Sequence, residues 1–81
     1  MDTEVFMSAM ADALGVDRAE LSEATDLNDE NWDSLAHIAT ISAIDEKFGV
    51  TVPANELTRV RTLGELMALV ERSLAAHSSQ G

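Results

Sequence analysis

The stretch DSLAHIATISAIDEKFG, residues 33–49, decides how this chain folds. Asp33 is a residue type that caps helix starts, and Gly49 is one that ends helices in the left-handed conformation. Between them Ile38, Ile41, Ile44 and Phe48 recur at close to helical intervals. The spacing predicts a helix over Ser34–Phe48 with that stripe against the core. A second row, Leu35, Ala39, Ser42 and Glu46, points about 150° away at about 100° per residue. That placement leaves Leu35 partly exposed at the start of the helix.

Upstream, Phe6, Met10, Ala13 and Leu14 form another helical stripe. It is bounded by Thr3 as an expected N-cap and by Gly15 as a stop. Residues 16–33 are polar and acidic but carry Val16, Leu21, Leu27 and Trp32. A connection this long in a small domain is expected to be an irregular loop pinned by its own apolar side chains, here Leu21 and Leu27. Downstream, Val50 to Val52 alternate without a second strand to pair with and read as an extended loop. Pro53 suits a first helical position, so 53–58 reads as a short helical turn. Thr62 and Glu65 form a capping box pattern ahead of Leu63, Leu66, Met67, Val70 and Leu74. A last helix is expected to about Ala76, with 77–81 as a flexible C-terminal tail in which His77 has no evident role. The expected fold is all-α: a small bundle of three main helices and one short one, with a long first loop, over residues 1–76.

With 81 residues, roughly 60% of the unfolded surface can be buried. That is enough for one core but not for a deep catalytic cleft. There is no cysteine, which excludes disulfides and thiolate metal sites. No apolar run is long enough to span a membrane, and the acidic start (Asp2, Glu4) does not suit a signal peptide, so a soluble cytoplasmic protein is expected. The net charge is −10, and it is uneven. Residues 1–46 hold twelve acids and one base, Arg18, whereas Lys47, Arg59, Arg61 and Arg72 all fall in the remainder. Such a surface repels nucleic acid and attracts basic protein surfaces.

Ser34 falls at the opening turn of the second helix. Backbone N–H groups there are unpaired and the dipole end is positive, so an anion attached to that hydroxyl would be favourably placed. Asp33 and Ser34 could equally be simple capping residues. His37 lies one turn on, but no oxyanion hole or substrate cleft accompanies a Ser–His pair, so a hydrolase is rejected and His37 reads as a surface residue. Trp32 reads as an anchor that closes the loop over the helix start. A calcium loop starting at Asp26 fails, because Asn31 stands where glycine is needed and His37 where a glutamate is needed. No metal site is assigned. Asp26, Asp29, Glu30 and Asp33 precede a helix N-terminus, where negative charge is favourable, whereas Asp45 and Glu46 sit near the C-terminus, where it is not. Locally unfavourable placements of that kind hint at function.

The ordered set Asp33-Ser34-Leu35, Phe48-Gly49-Val50, Val52-Pro53 and Thr62-Leu63-Gly64-Glu65-Leu66, preceded by an acidic loop, resembles the acyl carrier protein family from about Val5 to Leu74. The resemblance implies a four-helix bundle that is a carrier and not an enzyme. It implies that Ser34 receives 4′-phosphopantetheine from coenzyme A through a Mg²⁺-dependent phosphopantetheinyl transferase, with Asp33 and Leu35 beside the attachment point. A chain without cysteine would then hold its acyl cargo on an imported thiol. The resemblance further implies a monomer that docks on acyl-loading and acyl-processing enzymes with basic patches. The docking residues it assigns are Asp33, Leu35, Ala39, Ser42, Asp45 and Glu46.

The chain departs from the fatty-acid carriers at several positions. Asn31 and Trp32 replace glycine and a small residue before the aspartate. Ala36 and Ala39 stand where acids are usual, and Ser42 stands where methionine is frequent. These departures lean toward a specialised lipid, fatty-acid-like or polyketide pathway. Two rivals remain open at this point. One is an aminoacyl or peptidyl carrier with the same serine, and the other is an unmodified helical interaction module.

Overall fold

The computed structural model describes residues 1–28 and 30–79. Its elements run α1 (Thr3–Leu14), a 3₁₀ turn (Arg18–Glu20), α2 (Ser34–Phe48), α3 (Ala54–Leu57) and α4 (Leu63–Ser79). This is the small all-helical bundle expected of the sequence. No helix among the described residues is long and apolar enough to cross a membrane.

α1 ends as expected, with Gly15 left-handed at φ 70°. Its start differs. Asp2, not Thr3, is the cap, and its Oδ1 accepts from the N–H groups of Glu4 at 2.9 Å and Val5 at 3.2 Å. A carboxylate can take two first-turn donors and also complements the positive helix end. The buried side of α1 is Phe6, Met7, Ala9, Met10 and Ala11, while Ala13 and Leu14 are half-buried. Arg18 reaches back to the Glu4 carboxylate and donates to the Leu21 carbonyl at 3.1 Å, which fixes the 3₁₀ turn at the head of the long loop.

Asp33 caps α2 by accepting from the Ala36 N–H at 2.9 Å, and Gly49 ends it at φ 72°. The core stripe of α2 is not the expected one. Ile44 is fully buried and Ile41 and Phe48 are half-buried, but Ile38 is 64% exposed. Three-residue steps lag behind a 3.6-residue turn, so six residues carry Ile38 about 120° around the helix from Ile44. The inward row is instead His37, Thr40, Ile44 and Phe48, with Thr40 wholly buried.

Val50 and Val52 are buried on either side of exposed Thr51, as an alternating extended segment should be. Pro53 is the cap of α3 and not its first helical residue. At α4, Thr62 Oγ1 accepts from the Glu65 N–H at 3.2 Å, but the Glu65 carboxylate returns to the Arg61 N–H at 3.3 Å, one residue short of a reciprocal box. Leu63, Leu66, Leu69 and Val70 of α4 join Phe6, Met10, Ile44 and Leu57 in one core. α4 continues three residues past its expected end. Gln80 and Gly81, the last residues of the expected tail, lie outside the described residues.

The long loop is pinned as expected by Leu21 and Leu27, 7% and 8% exposed. It is also tied down by backbone. Leu27 N–H donates to the Arg61 carbonyl at 2.8 Å, Leu63 N–H to Thr25 at 3.0 Å and Gly64 N–H to Glu23 at 2.9 Å. A side chain at Gly64 would place its Cβ 3.1 Å from the Glu23 oxygen, tighter than an ordinary contact, so this close approach favours glycine.

Candidate functional site at the mouth of α2

Three devices position the start of α2. Asn31 Oδ1 accepts from the Asn28 N–H at 2.7 Å while its amide donates to the Asp26 carbonyl at 3.1 Å, so one side chain shapes the acidic turn. Trp32 is 9% exposed, and its indole N–H donates to the Leu57 carbonyl at 2.6 Å. Trp32 is therefore the anchor expected of it, and it ties the loop to the end of α3. Asp33, in extended conformation, then caps the helix and turns Ser34 outward.

Ser34 is exposed on the first turn, and its hydroxyl has no hydrogen-bond partner among the described residues. The N–H groups of Ser34 and Leu35 are likewise unpaired, since Asp33 serves the N–H groups of Ala36 and His37. A free hydroxyl stands at a helix mouth with two spare donors beside it. This arrangement suits a hydroxyl that is to carry an anionic group.

Of the residues singled out with Ser34, Asp33, Leu35, Ser42, Asp45 and Glu46 are exposed, and Ala39 is half-buried. They lie along the outer side of α2, with Asp45 about 17 Å from Ser34 at about 1.5 Å per residue. The structure adds Ile38 to this face. With Leu35 at 76% and Ile38 at 64% exposed, two large aliphatic side chains stand one turn apart directly after Ser34. The signal was present as a wrong angular step in the isoleucine spacing. Asp29 of the acidic loop lies outside the described residues.

His37 is not a surface residue. Its ring meets Trp32 edge to face, with centroids 4.7 Å apart at 68°, and its Nε2 is buried without a hydrogen-bond partner. No hydrogen bond joins it to Ser34. Residues on either side of Ser34 line two grooves. One, of about 390 Å³, runs past Leu14, Asp33, Leu35 and Ala39, and the other, of about 520 Å³, passes Trp32 and His37.

Residues 4–70 match the family model described as a phosphopantetheine attachment site. The chain is 32% identical over 74 residues to an acyl carrier protein of Thermosynechococcus vestitus, covering 90% of this chain and 91% of that protein. It is also 32% identical over 73 residues to an acyl carrier protein of Helicobacter hepaticus, covering 88% and 96%. To the acyl carrier protein AcpP of Rhizobium meliloti it is 34% identical over 65 residues, covering 79% and 83%. An all-helical bundle, an exposed serine at a capped helix mouth and likeness along most of the chain lead to one conclusion: the chain belongs to the phosphopantetheine-binding family of acyl carrier proteins.

Proposed function

We propose that this chain carries acyl intermediates for partner enzymes on a 4′-phosphopantetheine arm joined to Ser34. Its family is one of carriers rather than enzymes, built around a covalently held phosphopantetheine. The observation that carries the assignment to Ser34 is its unpartnered, outward hydroxyl beside the two spare N–H groups of α2. These residues fit the group: the hydroxyl is accessible to a transferase, and the helix mouth favours the phosphodiester charge. When bound, the arm supplies the thiol that this cysteine-free chain lacks.

In the attachment step, a base of the phosphopantetheinyl transferase takes the Ser34 proton. Oγ attacks the β-phosphorus of coenzyme A, a Ser–O–P bond forms, and the P–O bond to 3′,5′-ADP breaks with release of that nucleotide. Asp33 holds the serine in place through the cap. Leu35, Ile38 and Ala39 offer partners an apolar strip, Ser42 adds a hydroxyl, and Asp45 and Glu46 offer negative charge to basic patches. That face carries few charges near Ser34, which supports a specialised lipid, fatty-acid-like or polyketide pathway, with the protein acting as a cytoplasmic monomer.

The test is intact mass after incubation with coenzyme A, Mg²⁺ and a broad-specificity transferase. A gain of one phosphopantetheinyl group is expected, and Ser34→Ala should abolish it. Modification of the alanine variant would overturn the assignment.

A further inference from the structure

α1 and α2 pack antiparallel, and a groove follows the seam between them, away from the Trp32 side of the molecule. At one end it opens as a cavity of about 290 Å³, where Val5, Ser8, Ala9 and Asp12 face Lys47. At the other end it is the 390 Å³ groove, where Leu14 faces Leu35, Ala36 and Ala39. Ala36, Ala39, Ala43 and Lys47 share one flank of α2 within about 80° of arc, and they span about 16 Å at about 1.5 Å per residue. Ile38 and Asp45 lie on the other flank, about 150° round the helix. The seam has small side chains for a floor (Ala9, Ala39 and Ala43), and large aliphatic ones stand uncovered at its ends, Val5 at 39% and Leu35 at 76% exposed. Asp12, Glu30 and Asp33 on its rim are exposed and form no ion pair among the described residues, while Glu4 is taken by Arg18. Lys47 is the one cation lining the groove, and it too has no ion pair among the described residues.

We propose that the α1–α2 seam is a docking groove for a basic amphipathic helix of a partner protein, about three turns long. Its apolar row lies over Ala9, Ala39 and Ala43, its lysines or arginines meet Asp12 and Asp33, and an acid at one end meets Lys47. Shape and charge select this occupant. A straight groove between two helices suits a third helix, and a floor of small side chains lets it approach to an interaxial distance of about 8–10 Å. Twelve acids against one base in residues 1–46 favour a basic partner. A second copy of the chain would instead bring together two molecules of net charge −10, which repel. A helix on the seam leaves the flank of Ile38 and Asp45 uncovered, so α2 can hold one protein there while it presents that flank to another. None of this depends on whether Ser34 bears an arm.

The test titrates a blocked helical peptide of about fourteen residues, with leucine and alanine on one face and lysines beside it, into unmodified protein. Backbone NMR resonances of Val5, Ala9, Asp12 and Ala43 report the seam, and those of Ile38 and Asp45 report the other flank. Saturable shifts should be confined to the seam. A peptide of the same composition, reordered so that no apolar face forms, should bind at least about fivefold more weakly. Asp12→Arg and Asp45→Arg change the charge equally on the two sides of α2, and both residues are exposed, so both variants should fold. Asp12→Arg should weaken the peptide at least about fivefold and Asp45→Arg less than about twofold. Shifts centred on Ile38 and Asp45, equal loss in the two variants, or equal binding of the reordered peptide would each overturn the proposal. So would a dimer of the chain alone in sedimentation that Asp12→Arg dissolves, because it would give the seam to a second copy.

Discussion

Replacing Trp32 by phenylalanine removes one hydrogen bond and part of one ring from a site that joins two ends of the fold. The indole N–H donates to the Leu57 carbonyl at 2.6 Å across 25 residues of chain, in a buried setting. Phenylalanine leaves that carbonyl without its donor, which costs about 1–3 kcal/mol. The lost ring atoms withdraw apolar burial worth about 1 kcal/mol. A total of about 2–4 kcal/mol is large against the roughly 4–12 kcal/mol that a chain of this length holds. At about 4–8 °C per kcal/mol, the melting temperature should fall by about 8–32 °C. Circular dichroism at 222 nm reads the transition without relying on the deleted fluorophore. A melting temperature within 2 °C of the parent would refute the anchoring role, and with it the claim that Leu57 holds the loop over the start of α2.

Asp2→Ala should destabilise by about 1 kcal/mol because two first-turn N–H groups lose their acceptor, whereas Thr3→Ala should change little; urea midpoints of the two variants separate the two candidate caps. Ile38→Ala should leave stability within about 0.5 kcal/mol of the parent, since the side chain is 64% exposed, but should slow modification by a phosphopantetheinyl transferase; a melting-temperature loss typical of a core truncation would return Ile38 to the interior. Self-repulsion among the acids of residues 1–46 predicts that added salt or divalent cations raise the melting temperature, and a temperature independent of both would remove that account.

Much of this molecule is legible in its sequence because local rules act at helix ends. Gly15 and Gly49 both adopt the left-handed conformation at the expected positions, and Asp33 and Thr62 both cap. Ser34 and Leu35 are readable for the same reason: position on the first turn sets their exposure. What was hidden depends on angle and on distant partners. Ile38 looks like a core residue until the 120° drift is followed around the helix. His37 looks solvent-facing until Trp32 folds onto it. The pairing of residues 23–27 with 61–64 consists of backbone bonds, which leave no mark in side-chain pattern except at Gly64. Arg59 and Arg61 line the same 520 Å³ groove as Trp32 and His37 although more than twenty positions of sequence separate them.

The same backbone pairing sets an order of events during synthesis. The loop that presents Ser34 draws its acceptors and donors from Leu57, Arg61, Leu63 and Gly64, all in the last third of the chain. A ribosome that has released only the first fifty residues therefore displays Ser34 behind its local Asp33 cap but without the long-range anchors of the loop. On the proposed reading of Ser34, its modification is therefore expected on completed molecules rather than on nascent ones.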